Sequence, residues 1–498
     1  MGGGFLVLDS VPLVGSWPNS NVQSETPPPT LKPVARHSPD VIETVNPATG
    51  ERIDTYETVD ETGVERALAT AWRAFEQWRD RPLRARERLL VDAADVLRAD
   101  RDRFARVMTE EMGKPIEQSR SEVEKCAWVC EHYAEHAHSY LAADVHPSPP
   151  GTDVRTVCEP LGPVLAVMPW NFPLWQVFRF AAPYLTAGNV GLLKHAPSVP
   201  GCARVAVEVF ERAGYPAGVF QDLTVEADRV PDLVADLLAD GRVRAATLTG
   251  SGSAGRSLAS EAGANLTKTV LELGGSDPFV VLDDADVDAA LAAGTTARTL
   301  NAGQSCIAAK RFLVHDAVYD EFRDGLVERF ESLTVGDPLD RETDVGPLAG
   351  EQHIERLAEQ VERTLAAGAR APVGGVSLDR TGAFYPPTVL VNVPDGCPAT
   401  DEELFGPVAA LFRVESERAA VERANATEYG LGASVWTADR ERGRRLAGEI
   451  EAGCTYVNQL TKSDPRVPFG GVKRSGYGRE LGGAGIREFV NRKTVWVE

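Results

Sequence analysis

The stretch Val164-Leu165-Ala166-Val167-Met168-Pro169-Trp170-Asn171-Phe172-Pro173 decides the fold class. Its five leading apolar residues read as a short buried strand, and the proline-bounded turn after them stops it. Working outward, residues 190–193 form a second run of this kind, followed by a helical pattern over 200–213. Residues 245–249 form a third, followed by a glycine-rich turn and a helix from Arg256. Strands alternating with helices of this length predict parallel βαβ units in an open, doubly wound sheet. Upstream, Val64, Ala67, Leu68, Ala71 and Phe75, then Leu89, Leu90, Ala93 and Leu97, recur at helical spacing. They predict two amphipathic helices separated by Pro82. Downstream, residues 286–493 repeat the alternation with their own turns, which predicts a second α/β domain. Residues 1–40, with Pro27-Pro28-Pro29 and Pro33, lack apolar periodicity and read as a mobile tail.

Bulk properties narrow the function classes. At 498 residues the chain exceeds what one hydrophobic core usually organises. Its 73 acidic against 52 basic residues leave a net charge of −21, which disfavours a nucleic-acid partner. The Arg-rich, Lys-poor and Asp-rich balance suits a protein kept soluble in high salt, and genome composition produces the same bias. No apolar run reaches the roughly 18 residues of a membrane span, and the first residues lack the basic start of a secretory signal. A cytoplasmic protein without a membrane partner is expected. Seven irregularly spaced cysteines form neither a disulfide scaffold nor a zinc ribbon, and an odd count leaves at least one thiol free.

Three segments carry chemistry. Gly250-Ser251-Gly252-Ser253-Ala254-Gly255 fits G-x-G-x-x-G between a strand and a helix, where backbone N–H groups hold a pyrophosphate. Glu272 follows at the distance of a ribose-binding carboxylate. It also stands in Leu271-Glu272-Leu273-Gly274-Gly275, where partial desolvation would make it a general base. In Asn301-Ala302-Gly303-Gln304-Ser305-Cys306 the cysteine follows a glycine turn. A helix start there would lower its thiol pKa. A fourth segment competes: His132-Tyr133-Ala134-Glu135-His136 matches H-x-x-E-H, a zinc-peptidase signature, with Cys126, Cys130 and His138 nearby. A surface helix with two histidines is the ordinary reading of so short a pattern.

Pro169-Trp170-Asn171-Phe172-Pro173, Glu272-Leu273-Gly274-Gly275, Gly303-Gln304-Ser305-Cys306, Glu403-Leu404-Phe405-Gly406-Pro407 and Pro468-Phe469-Gly470-Gly471-Val472-Lys473-Arg474-Ser475-Gly476 occur in that order, in a resemblance that covers roughly residue 40 to the C-terminus. The ordered set resembles the aldehyde dehydrogenase superfamily. Leu193-Lys194-His195-Ala196-Pro197 and Gly274-Gly275-Ser276-Asp277-Pro278 look like its succinate-semialdehyde dehydrogenase branch. The resemblance implies NAD(P)-dependent oxidation of a small aldehyde to a carboxylate through a thioester on Cys306. Asn171 and the Cys306 N–H would hold the oxyanion, and Glu272 would activate the hydrolytic water. Pro169, Trp170, Lys194, Gly250, Ser251, Leu273, Glu403 and Phe405 would line the NAD or NADP site. Pro197 stands where many NAD-preferring members carry Glu, so a 2′-phosphate would not be repelled.

For the distal carboxylate of a semialdehyde, Arg179 matches one family arginine. Leu300 replaces another; Arg298 is near but out of register, and Lys462 or Arg466 is left to supply the charge. The resemblance further implies two doubly wound open-sheet domains and a small strand-rich oligomerisation arm. Residues 41–139 and 160–271 would bind cofactor and 272–477 would form the catalytic domain. Residues 140–159 and 478–498 would be the arm and C-terminal tail, pairing with a neighbour in a homodimer or homotetramer. No metal is implied.

Overall fold

The computed structural model describes residues 41–498; the tail expected over 1–40 lies outside the described residues. The two amphipathic helices fall at Glu61–Trp78 and Leu83–Ala99, with Pro82 between them. Asp60 opens the first by accepting from the Gly63 N–H, an N-cap that stabilises such a helix by about 1 kcal/mol. Leu68, Ala71, Phe75 and Trp78 are the buried face it presents to the core.

The first sheet has six strands in the order Gly476–Tyr477, Lys268–Glu272, Ala245–Thr249, Pro163–Met168, Val190–His195, Phe220–Asp222. All pairs are parallel except the first, in which Gly476 lies opposite Glu272. From Pro163–Met168 the chain builds outward on one side, then returns to build on the other. Strand order therefore reverses between Met168 and Thr249, and the carboxyl ends diverge there to leave the crevice in which doubly wound sheets bind ligands. The glycine-rich helix begins at Gly252, four residues before the expected Arg256, because Ser251 caps it by accepting from the Ala254 N–H. Gly252 and Gly255 thus lie inside the first turns, and only Gly250 and Ser251 remain in the crevice turn.

The second sheet has seven strands: Arg370–Val373, Thr388–Val391, Val408–Val414, Ala309–His315, Asp277–Val281, Gly432–Trp436, Cys454–Val457. Only the outermost pair, Arg370–Val373 with Thr388–Val391, is antiparallel. The chain leaves the first sheet at Glu272 and enters the second at Asp277, so residues 273–276 bridge the two.

A third, three-stranded sheet joins Asp144–Val145, Asp153–Pro160 and Val490–Val497. The C-terminal strand pairs along its full length with Asp153–Pro160 of its own chain. The sheet nonetheless exposes Val145, Trp496 and Val497. No described helix is long and apolar enough to cross a membrane.

Candidate active site

A cavity occupies the crevice and continues between the two large sheets. Pro169, Trp170, Asn171, Gly250, Ser251, Glu272, Leu273, Cys306, Glu403 and Phe405 all line it. The structure thus brings together three strand ends of the first sheet and two loops of the second. Lys194 and Pro197 lie outside the cavity lining, at and just after the end of Val190–His195. Arg179, Lys462 and Arg466 do not line it either.

Cys306 sits in a turn that leads into the strand Ala309–His315, not at the start of a helix as the glycine pattern predicted. No helix dipole lowers its thiol pKa. Burial pushes it up to about 12, opposed by the nearby Lys310 and Arg179 cations. The loop before it is strained: Asn301 and Ala302 take φ of +56° and +52°. Left-handed non-glycine residues cost about 1–3 kcal/mol each and persist only where the surroundings over-determine them. Here the Asn301 N–H donates to Gln118 Oε1 at 2.8 Å, and its Nδ2 to the Asn171 carbonyl at 2.6 Å. Gln304 Oε1 accepts from the Ala349 N–H at 2.9 Å.

Asn171 is locked by the same network. Its Nδ2 donates to the Gln304 carbonyl at 3.0 Å and its Oδ1 accepts from Gln176 Nε2 at 3.1 Å. One amide hydrogen is left for the cavity. No described acceptor takes the Cys306 N–H, so a second donor is free beside the thiol. The turn that carries Asn171 is fixed from behind by His195. The imidazole Nδ1 accepts from the Ala196 N–H and Nε2 lies 2.9 Å from the Pro173 carbonyl, which assigns the Nε2–H tautomer. Burial lowers this imidazole to about 4, so it stays neutral.

Glu272 ends its strand fully buried, and neither carboxylate oxygen has a hydrogen-bond partner. Burial drives its pKa well above the carboxylate range, and the charge of Glu480 adds to this. Glu480, also buried, pairs with the Arg179 guanidinium. The paired glycines after Glu272 are a steric requirement. A Cβ on Gly274 would meet a Glu403 carboxylate oxygen, and one on Gly275 would stand 2.7 Å from the Cys306 carbonyl.

Several residues acting here escaped the sequence reading. Lys310, buried four residues after Cys306, donates to the Ser305 carbonyl at 2.7 Å and to the Cys306 carbonyl. It also pairs with Glu403 at 3.3 Å. It ties the Cys306 loop to the carboxylate that faces the cavity. His353 packs at a tilt against Trp170, ring centres 4.5 Å apart, and Phe405 meets the same indole edge-on at 5.8 Å. Nothing in local spacing marks these residues, because each works on a partner far along the chain.

The candidate carboxylate-binding cations are mostly engaged. Arg179 is neutralised by Glu480, donates to Thr249 Oγ1 at 3.2 Å and lies over the Phe469 ring. Arg298, buried, spends its guanidinium on the carbonyls of Gly303, Leu404, Gly406 and Ala309, so it is an internal brace. Arg466 pairs with Asp464 at 2.6 Å, and both it and Lys462 face outward. Leu300 is exposed.

The H-x-x-E-H segment lies on the helix Ile116–Tyr140. His132 and His136 stack at 4.5 Å, and His132 Nε2 bonds the Tyr140 hydroxyl. Glu135 points to solvent, and the described residues hold no group of three ligating side chains. All seven cysteines are unbridged.

Against known proteins, the model of the aldehyde dehydrogenase family matches residues 34–495. The chain is 51% identical to a probable NADP(+) succinate-semialdehyde dehydrogenase of Synechocystis sp., covering 92% of this chain and 99% of the relative. It is 50% identical, with the same coverage, to succinate-semialdehyde dehydrogenase [NADP(+)] 1 of Mycobacterium tuberculosis. Among solved structures, succinic semialdehyde dehydrogenase of Streptococcus pyogenes, crystallised with NADP+, superposes with a TM-score of 0.88. The identity there is 37%, covering 92% of this chain and 99% of that one. Betaine aldehyde dehydrogenase of Staphylococcus aureus with NAD+ gives the same TM-score at 30% identity, over 92% and 94% of the two chains. These relatives give the zinc-peptidase reading no support.

Proposed function

We propose, of a chain that belongs to the aldehyde dehydrogenase family, that it oxidises succinic semialdehyde to succinate with NADP. The observation that carries this is the convergence of Cys306, Asn171 and Glu272 on one cavity that runs to the crevice turn at Gly250 and Ser251. The half-identical relatives named for this substrate and cofactor supply the specificity.

The cavity suits a dinucleotide. The turn at Gly250 leaves room for close approach, since a Cβ there would meet nothing nearer than 3.4 Å. Trp170, Leu273 and Phe405 offer apolar walls, and Glu403 a carboxylate for a ribose hydroxyl. Lys194 has its ammonium lowered to about 8 by burial, with Asp222 as the opposing charge. A 2′-phosphate would restore that charge, and Pro197 brings no carboxylate to repel it. When bound, the dinucleotide supplies the hydride acceptor.

The chain's own residues perform the remainder. Cys306 Sγ, once deprotonated, adds to the aldehyde carbon. Asn171 Nδ2 and the Cys306 N–H hold the oxygen that gains charge, each such donor worth about 3 kcal/mol in the transition state. After hydride loss the acyl group is a thioester on Cys306. Glu272, unpartnered and desolvated, takes a proton from the water that cleaves it. Proton uptake is favoured there because burial disfavours the anion.

We assign residues 41–139 with 160–271 to cofactor binding, 272–477 to catalysis and 140–159 with 478–498 to an oligomerisation arm. The apolar residues exposed on the third sheet support a homodimer or homotetramer. The acidic composition and unbridged cysteines support a cytoplasmic setting.

The test is formation of reduced nicotinamide from succinic semialdehyde, with NADP and NAD in parallel and butanal as the uncharged control. The proposal expects strong preference for the semialdehyde and for NADP. Turnover of butanal alone would retain the mechanism and overturn the substrate.

A further inference from the structure

The family resemblance gives the substrate's distal carboxylate to Arg179, with help from Lys462 or Arg466, yet Arg179 and Arg466 are paired with carboxylates and Lys462 is exposed. A different cation, half-buried, has no carboxylate partner among the described residues. Lys125 projects from the helix Ile116–Tyr140, and its ammonium lies 4.1 Å from the centre of the Trp175 ring. Its one hydrogen bond is to Ser463 Oγ, at 2.8 Å. No described carboxylate pairs with it. An ammonium has three donors, so two remain unused.

Its position comes from the helix beneath it. Trp175 and Arg179 are four residues apart on the helix Trp175–Thr186 and share a face, which is the continuation of the turn that carries Asn171. Arg179 in turn donates to Thr249 Oγ1 at 3.2 Å, and Thr249 lines the cavity that holds Cys306. The ammonium is thus held on the indole of the helix that follows the Asn171 turn, with a hydroxyl next to it. The titratable groups around it are Arg179, Glu122, Cys126 and Asp464. Of these, Glu122 is paired with Lys114, Arg179 with Glu480 and Asp464 with Arg466. Burial and the Arg179 charge lower Lys125 to about 8. An incoming anion would reverse that penalty.

We propose that Lys125, with Ser463 beside it, is the residue that recognises the distal carboxylate of the substrate and so sets the preference for a semialdehyde over an uncharged aldehyde. This rests on the semialdehyde reading above. The Trp175 face fixes the ammonium without neutralising it, and an unpaired, partly desolvated cation binds a carboxylate more strongly than one already in an ion pair.

Steady-state kinetics of the full-length enzyme with saturating NADP test the idea, comparing succinic semialdehyde with butanal in wild type, Lys125→Met and Lys125→Arg. For Lys125→Met the KM for the semialdehyde should rise about 10–100-fold, the span of one lost charge-assisted bond. Its kcat should stay within about 3-fold and KM for butanal should be unchanged or lower. Lys125→Arg should restore part of the preference, and NADPH binding followed by fluorescence should be equal in all three proteins. A wild type that prefers the semialdehyde while Lys125→Met keeps the same ratio overturns the proposal alone. A wild type without that preference overturns the substrate reading, and the proposal with it.

Discussion

The loop around Cys306 is tied by hydrogen bonds at almost every residue, whereas the carboxylates of Glu272 and Glu480 are buried with scarcely any. In the loop, Gln118, Asn171, Arg298, Lys310 and the Ala349 N–H each hold a different group of residues 301–306. These bonds offset the left-handed strain at Asn301 and Ala302 and fix where the sulfur and its two donors stand. Around Glu272 the protein does the opposite. It withholds partners, so the carboxylate keeps a raised proton affinity that only Arg179 and Arg479 oppose. The first region stores geometry and the second stores reactivity, and substitutions should separate the two.

The largest effect is expected at the nucleophile. Cys306→Ala should abolish aldehyde oxidation while NADPH binding, measured by fluorescence, stays within about 2-fold. Next, Asn171→Ala removes one oxyanion donor, and kcat should fall about 10²–10³-fold with a smaller change in KM. Lys310→Met removes a cation that favours the thiolate. In wild type the thiol lies near 12, so alkylation of Cys306 by iodoacetamide should rise about tenfold per pH unit between pH 7 and 9. The variant should run parallel but about tenfold slower, because its thiol moves further up.

These predictions draw unequally on what the sequence discloses. The strands and helices at 163–264 were legible because apolar runs and turn residues are local signals, and the crevice came from their order. Asn171, Glu272 and Cys306 were legible as an ordered set of motifs. The environment of each was not. Whether Cys306 meets a helix dipole depends on the element that begins after residue 306, which is a β strand. Arg179 reads as a free cation until Glu480, about 300 residues away, is folded onto it. Lys125 and Lys310 have ordinary sequence contexts, and their meaning comes from Trp175, Ser463 and Glu403. Pairings across the whole chain leave no trace in spacing.

The smallest effect concerns stability. The Glu272 carboxyl has a folded pKa raised above its unfolded value, so folding favours its protonated form. The contribution is fully present below the unfolded pKa and is lost as pH rises through the folded value. Glu272→Gln, neutral at every pH, should therefore raise Tm by about 1–2 °C at pH 8 and by less at pH 5. A Tm that falls in the variant would mean that the carboxylate is partnered after all.

The most direct test of the mechanism uses the same variant. Glu272→Gln is mixed with succinic semialdehyde and NADP, quenched in acid and digested, and the Cys306 peptide is weighed by mass spectrometry. With the base removed and the nucleophile loop intact, a single burst of NADPH per active site should accompany a succinyl group on Cys306. A burst that leaves Cys306 unmodified, or full steady-state turnover, would contradict a thioester resolved by Glu272.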